Sequence, residues 1–93
     1  MESDMKYKVD FTKKALKQLK KIQIQSRIQI FSGIKNLENS ETWGDVRKLV
    51  NHKYDYRLRV GIYRVLFNVK EEANVVVNEL SVEEVKKRDE RTY

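Results

Sequence analysis

The chain has 93 residues, 40% of them hydrophobic and 37% charged, and a formal net charge of +6. That length holds one domain, 1–93, with a modest core and no separate regulatory module. The absence of cysteine excludes disulfides and thiolate–metal sites, and the basic balance points to a polyanionic partner: nucleic acid, an acidic protein segment or anionic lipid.

The first residues, Met1-Glu2-Ser3-Asp4-Met5-Lys6, carry neither the apolar run of a signal peptide nor the arginine bias of a transit peptide. No stretch has the length of a membrane span, so the expected location is the cytoplasm. Tyr7 to Phe11 reads as a short strand. Thr12 then stands at an N-cap position, and Ala15, Leu16, Leu19 and Ile22 follow at helical spacing. Ile24, Ile28, Phe31, Ile34 and Leu37 form a second helical set, so a helical hairpin or one broken helix is expected.

Asn39 to Asp45 reads as a loop. Beyond it the period drops to two. Tyr56, Leu58 and Val60 alternate with Asp55, Arg57 and Arg59, while Tyr63, Val65, Phe67 and Val69 alternate with Arg64, Leu66 and Asn68. Gly61 between the two runs makes them a hairpin. After a turn at 70–74, Val75 to Val82 forms a further strand. Ser81-Val82-Glu83-Glu84 fits a capping box, so a competing reading makes the tail a short helix rather than an extended end. The expected fold class is therefore α+β. An N-terminal strand and two-helix hairpin pack on one face of a small antiparallel sheet, leaving the other face open.

Charge concentrates in the second half. Between Arg47 and Arg64 the basic residues are Arg47, Lys48, Lys53, Arg57, Arg59 and Arg64, against Asp55 alone. Arg57 and Arg59 are two apart on a strand and leave the same face, with Arg64 across the hairpin. Neighbouring like charges destabilise a sheet, so clustered guanidiniums suggest a missing anion, most simply a phosphate. The competing reading is an edge strand guarded by charge, though lysine is the usual guard. A second basic group, Lys86, Lys87, Arg88 and Arg91, precedes Tyr93; it could equally be a solvated end. His52, the sole histidine, reads as a surface residue, and the lysines from Lys13 to Lys21 as the wet face of a helix. One histidine and scattered carboxylates point to no metal site.

The motifs Tyr56-Arg57-Leu58-Arg59-Val60, Gly61-Ile62-Tyr63-Arg64-Val65-Leu66-Phe67 and Lys87-Arg88-Asp89-Glu90-Arg91-Thr92-Tyr93, with the early helix Lys13 to Leu19, closely resemble the RelE toxins of the RelE/ParE superfamily. The resemblance implies the toxin of a bacterial type II toxin–antitoxin pair, paired with a cognate antitoxin. It also implies a ribosome-dependent endoribonuclease that cleaves mRNA in the A site, with no metal or cofactor. By position, Arg57, Arg59, Arg64, Arg88 and Tyr93 take the catalytic places. Arg47, Lys48, Lys53, Lys86, Lys87 and Arg91 are expected to contact RNA. In such chemistry the arginines stabilise charge on the phosphate, and Tyr93 serves as a base or a stacking group. Two other functions fit the same residues: a ParE-like inhibitor of DNA gyrase, and an RNA-binding module without catalysis.

Overall fold

Thr12 starts the first helix as its position in the sequence suggests. In the computed structural model, which describes residues 5–88, its Oγ1 accepts the Ala15 N–H at 3.0 Å and donates to the Glu83 carbonyl at 3.1 Å. One hydroxyl thus caps a helix and ties it to the last strand. The order is β1 (Lys6–Phe11), α1 (Lys13–Lys20), α2 (Ile24–Lys35), two 3₁₀ turns (Asn36–Glu38 and Ser40–Thr42), β2 (Val46–Lys48), β3 (Tyr56–Val60), β4 (Tyr63–Lys70) and β5 (Val77–Lys87). Arg27 of α2 donates to the carbonyls of Lys20 and Ile22, closing the end of α1 and fixing the helical hairpin.

The sheet runs β1-β5-β4-β3-β2. The expected α+β class holds, with one difference inside the sheet. β1 pairs with β5 in parallel, because α1, α2 and the meander between them return the chain in the same direction; the other pairs are antiparallel. Gly61 takes φ 58° as the first residue of the two-residue β3–β4 turn, a backbone that glycine adopts without strain. No helix among the described residues is long and apolar enough to cross a membrane.

Tyr7, Leu58, Val65, Phe67, Leu80, Val82 and Val85 on the strands meet Ala15, Leu19, Ile30, Ile34 and Leu37 from the helical side, and these residues form the core. Gly33 brings α2 close to β3: a Cβ there would lie 3.0 Å from Val60 Cγ2. Trp43 closes this face from the loop, stacking edge-on against Tyr56 and Phe67 and donating Nε1–H to the Leu37 carbonyl at 2.9 Å. Only part of the helical periodicity is buried. Leu16, Ile24, Ile28 and Phe31 stay exposed, because the small sheet offers α2 cover only along the Ile30, Ile34 and Leu37 side.

Two expectations about the C-terminal half are corrected. The segment read as a capping box is strand: β5 continues to Lys87, and Val75 and Val76 precede it. Main-chain pairing with β4 along its length outweighs the local helix signal. Glu83 is the extra residue of a bulge, between Val82 opposite Phe67 and Glu84 opposite Leu66. Where β1 has ended, Gln18 Oε1 of α1 accepts the Val85 N–H at 2.7 Å and satisfies the free edge. Nor is the face away from the helices wholly open. The β2–β3 loop folds back so that Tyr54, itself buried, donates its hydroxyl to Glu84 of β5 at 2.8 Å. Under that cover Arg57, Leu66 and Glu84 are all buried.

Candidate phosphate site

Strand register builds this site. On the sheet face away from the helices, Arg47 of β2 stands directly opposite Arg57 of β3. Arg59 of β3 stands opposite Arg64 of β4, which is in turn opposite Lys86 of β5. Three like-charge cross-strand pairs cost stability, which a fold serving only itself would avoid. The edge-guard reading also loses its basis: β3 is flanked by β4 and β2, so Arg57 and Arg59 sit on an interior strand.

Arg47, Arg57, Arg59, Arg64 and Arg88 line one open cleft of about 420 Å³. Four of these come from three adjacent strands. Arg88 follows β5 and is held by its backbone N–H to the Ile62 carbonyl, across the end of the β3–β4 turn. Arg57 is 7% exposed, and its Nη1 is buried with no hydrogen-bond partner; the Arg64 Nε is in the same position. Among the described residues, the carboxylate in contact is Asp45, 4.0 Å from Arg57 Nη2 and 3.8 Å from Arg59 Nε. Burial, then the neighbouring charge of Arg59, pulls the Arg57 pKa below its ordinary value; Asp45 opposes this, while Arg47 and Arg64 add to it. Buried guanidinium N–H groups without acceptors are costly, and an oxyanion with several lone pairs would relieve them together.

The remaining predicted residues divide. Lys86 lies beside Arg64, paired with Glu84 at 3.7 Å. Lys87 opposes Tyr63 and Lys48 opposes Tyr56, so strand alternation turns both to the other face of the sheet, away from the arginines. Lys48 instead lines a separate cleft with Asp55, Tyr56, Val69 and Glu71. Lys53 sits over the Tyr54 ring, 5.5 Å from its centroid. His52 accepts the Tyr54 N–H through Nδ1 at 3.1 Å, a turn contact away from the arginines. Arg91 and Tyr93 lie outside the described residues. Sequence reasoning missed Asp45, Tyr54 and Glu84. Asp45 is detectable only once β2 is recognised, and Tyr54 and Glu84 only through a loop that folds across two strands.

Among the described residues no three histidine, aspartate or glutamate side chains gather into a metal-binding group. No protein-family profile matches the sequence, and no curated protein matches it either. Among solved structures, a chain of the RelBE2 toxin–antitoxin complex from Mycobacterium tuberculosis superposes with a TM-score of 0.71 at 21% identity, over 90% of this chain and 100% of that one. The two helices and five-stranded mixed sheet described above therefore constitute a RelE-like α+β fold.

Proposed function

We propose that this chain is the toxin of a type II toxin–antitoxin pair, and that it cuts messenger RNA in the ribosomal A site by attack of a ribose 2′-hydroxyl on the adjacent phosphate. The observation that carries this reading is Arg57: a nearly buried guanidinium with an unpartnered Nη1, in a cleft lined by five arginines. Guanidiniums repel metal cations and bind phosphate through paired N–H donors. As the 2′-oxygen attacks, the phosphate gains charge, and donors already fixed by the sheet stabilise that charge without rearranging.

In this mechanism Arg57, Arg59 and Arg64 contact the phosphate oxygens, and Arg88 and Arg47 neutralise the flanking backbone. Lys86 extends the basic row. Arginine stays protonated and is a poor proton carrier, so another group must take the 2′-proton. Tyr93 is assigned that role, or stacking on a base, from the sequence resemblance. The antitoxin partner is supported by the RelBE2 complex, whose fold this chain shares, and by surface chemistry. Leu16, Ile24, Ile28 and Phe31 are exposed, and Phe31 lines a cleft of about 280 Å³ with Val9, Phe11 and Ile34, flanked by Lys35 and Glu38. Such a surface suits an amphipathic partner segment.

Primer extension on a defined message with purified 70S ribosomes tests the reading. The protein is expected to cut at in-frame A-site codons, and Arg59→Ala and Tyr93→Phe to cut about 10²-fold more slowly. Intact message on programmed ribosomes would overturn ribosome-dependent cleavage and direct attention to DNA gyrase.

A further inference from the structure

Among the described residues, Asp45 brings the one carboxylate paired with the cleft arginines, and its setting combines a fixed backbone with a loosely held side chain. Its carbonyl accepts the Arg59 N–H at 3.0 Å, and the Val46 N–H bonds the Gly44 carbonyl at 2.8 Å, a tight turn into β2. Two residues earlier, Trp43 is locked by the Leu37 carbonyl and by rings of Tyr7, Tyr56 and Phe67. The main chain therefore delivers Asp45 to one place.

Its carboxylate behaves differently. The side chain is 54% exposed, with Oδ1 turned to Arg57 at 4.0 Å and Oδ2 to Arg59 at 3.8 Å. Charge-assisted hydrogen bonds to guanidinium run at about 2.7–2.9 Å, so both contacts are attractive but carry no hydrogen bond. One oxygen faces each arginine, the way two oxygens of a phosphate would, while Arg57 Nη1 stays unpartnered. Among the described residues, this single paired carboxylate does not balance the five arginines of the cleft.

We propose that the Asp45 carboxylate is an internal stand-in for phosphate, holding the Arg57 and Arg59 guanidiniums in the free protein and giving up its place when an RNA phosphate enters the cleft. The inference rests on the phosphate-site reading above. It makes Asp45 a positioning residue whose charge competes with the ligand, so its removal strengthens binding. A plain structural ion pair has the opposite consequence: its removal lets the arginines wander and weakens binding.

The test uses the full chain and a fluorescently labelled single-stranded 2′-O-methyl RNA, which binds but has no free 2′-hydroxyl to react. Anisotropy titrations across a salt series compare the native protein with Asp45→Asn, Asp45→Glu and Arg57→Ala. Asp45→Asn should bind about fivefold tighter at low salt, the scale of one screened contact at this separation. Its log–log salt slope should steepen by about 0.7, one further phosphate charge neutralised. Asp45→Glu, which keeps the charge, should retain the native slope; a slope like that of the asparagine variant would overturn the role of charge. If the native protein binds, Arg57→Ala loses binding and Asp45→Asn binds no tighter, the stand-in is overturned while the phosphate site survives. If neither native protein nor Asp45→Asn binds, the phosphate site fails and the stand-in fails with it.

Discussion

Arg57→Met is expected to yield a protein that is more stable and almost inactive. The native side chain puts a positive charge at a nearly buried position, faces Arg47 across the β2–β3 pair and leaves Nη1 without an acceptor. The cost of that burial lies in the free protein, where Asp45 at 4.0 Å is a distant counter-charge. Methionine fills a similar volume with no charge to desolvate. Replacing poorly compensated buried charge in this way typically stabilises by about 1–2 kcal/mol, which for a chain of this size raises Tm by about 5–10 °C. In the proposed mechanism the same substitution removes a donor to the transition state, and it should slow cleavage by about 10²–10³-fold. Sulfate, as a phosphate surrogate, should raise the Tm of the native protein more than that of the variant. Thermal denaturation with and without sulfate, beside a cleavage assay, checks all three effects. A variant that loses stability would mean that Arg57 is a structural residue, and one that cuts normally would remove it from the proposed catalytic set.

The second large effect belongs to Glu84, the anchor for the loop over the sheet. Its carboxylate accepts the Tyr54 hydroxyl at 2.8 Å and Lys14 Nζ at 3.1 Å, with Lys86 Nζ at 3.7 Å from its other oxygen. Burial alone would push its pKa up. The hydrogen bonds from Tyr54 and Lys14 and the charges of Lys86 and Lys14 outweigh burial and hold it below the ordinary 4.5. The same bond, together with burial, raises the Tyr54 hydroxyl above its usual value, so it remains a donor. Glu84→Ala leaves a buried hydroxyl without its acceptor and is expected to cost about 2–3 kcal/mol at pH 7. Because the folded pKa is depressed, this stabilisation is fully present above the unfolded value of 4.5. It fades as pH falls through the lower folded value. Urea denaturation at pH 7 and pH 3 should therefore show a gap between native protein and variant that narrows on acidification. A gap that is constant with pH would assign the loss to packing rather than to the ionised carboxylate. Glu84→Gln, close to the native shape, should fall between the two.

Much of this was legible in the sequence, and the reasons it was not all legible are physical. Thr12 as a cap, the β3–β4 hairpin around Gly61 and the grouping of Arg57, Arg59 and Arg64 follow from residue type and a period of two. β2 was hidden because three residues, Val46 to Lys48, are too few to display a period. Missing it made β3 look like an edge strand and hid that the loop residue Asp45 leads into β2 beside Arg57 and Arg59. The tail misled for another reason. Ser81 to Glu84 carries a helix-start pattern, but the bulge at Glu83 interrupts strand alternation at that very point and disguises the continuation of the strand beyond Val82 to Lys87. The parallel pairing of β1 with β5 is a long-range choice that no local window encodes. Lys48 and Lys87 entered the site by charge alone, and the strand alternation that turns them to the other face depends on registers that the sequence does not display.

The most direct test of the central claim, that this arginine cleft promotes 2′-hydroxyl attack on a phosphate, is the chemistry of the cut ends. Attack by the 2′-oxygen expels the 5′-oxygen, so the upstream fragment should end in a 2′,3′-cyclic phosphate and the downstream fragment should begin with a 5′-hydroxyl. Downstream fragments isolated from programmed ribosomes should then be labelled by polynucleotide kinase without prior phosphatase treatment. Fragments that accept label only after phosphatase would carry a 5′-phosphate, the product of attack by water, and would contradict the mechanism.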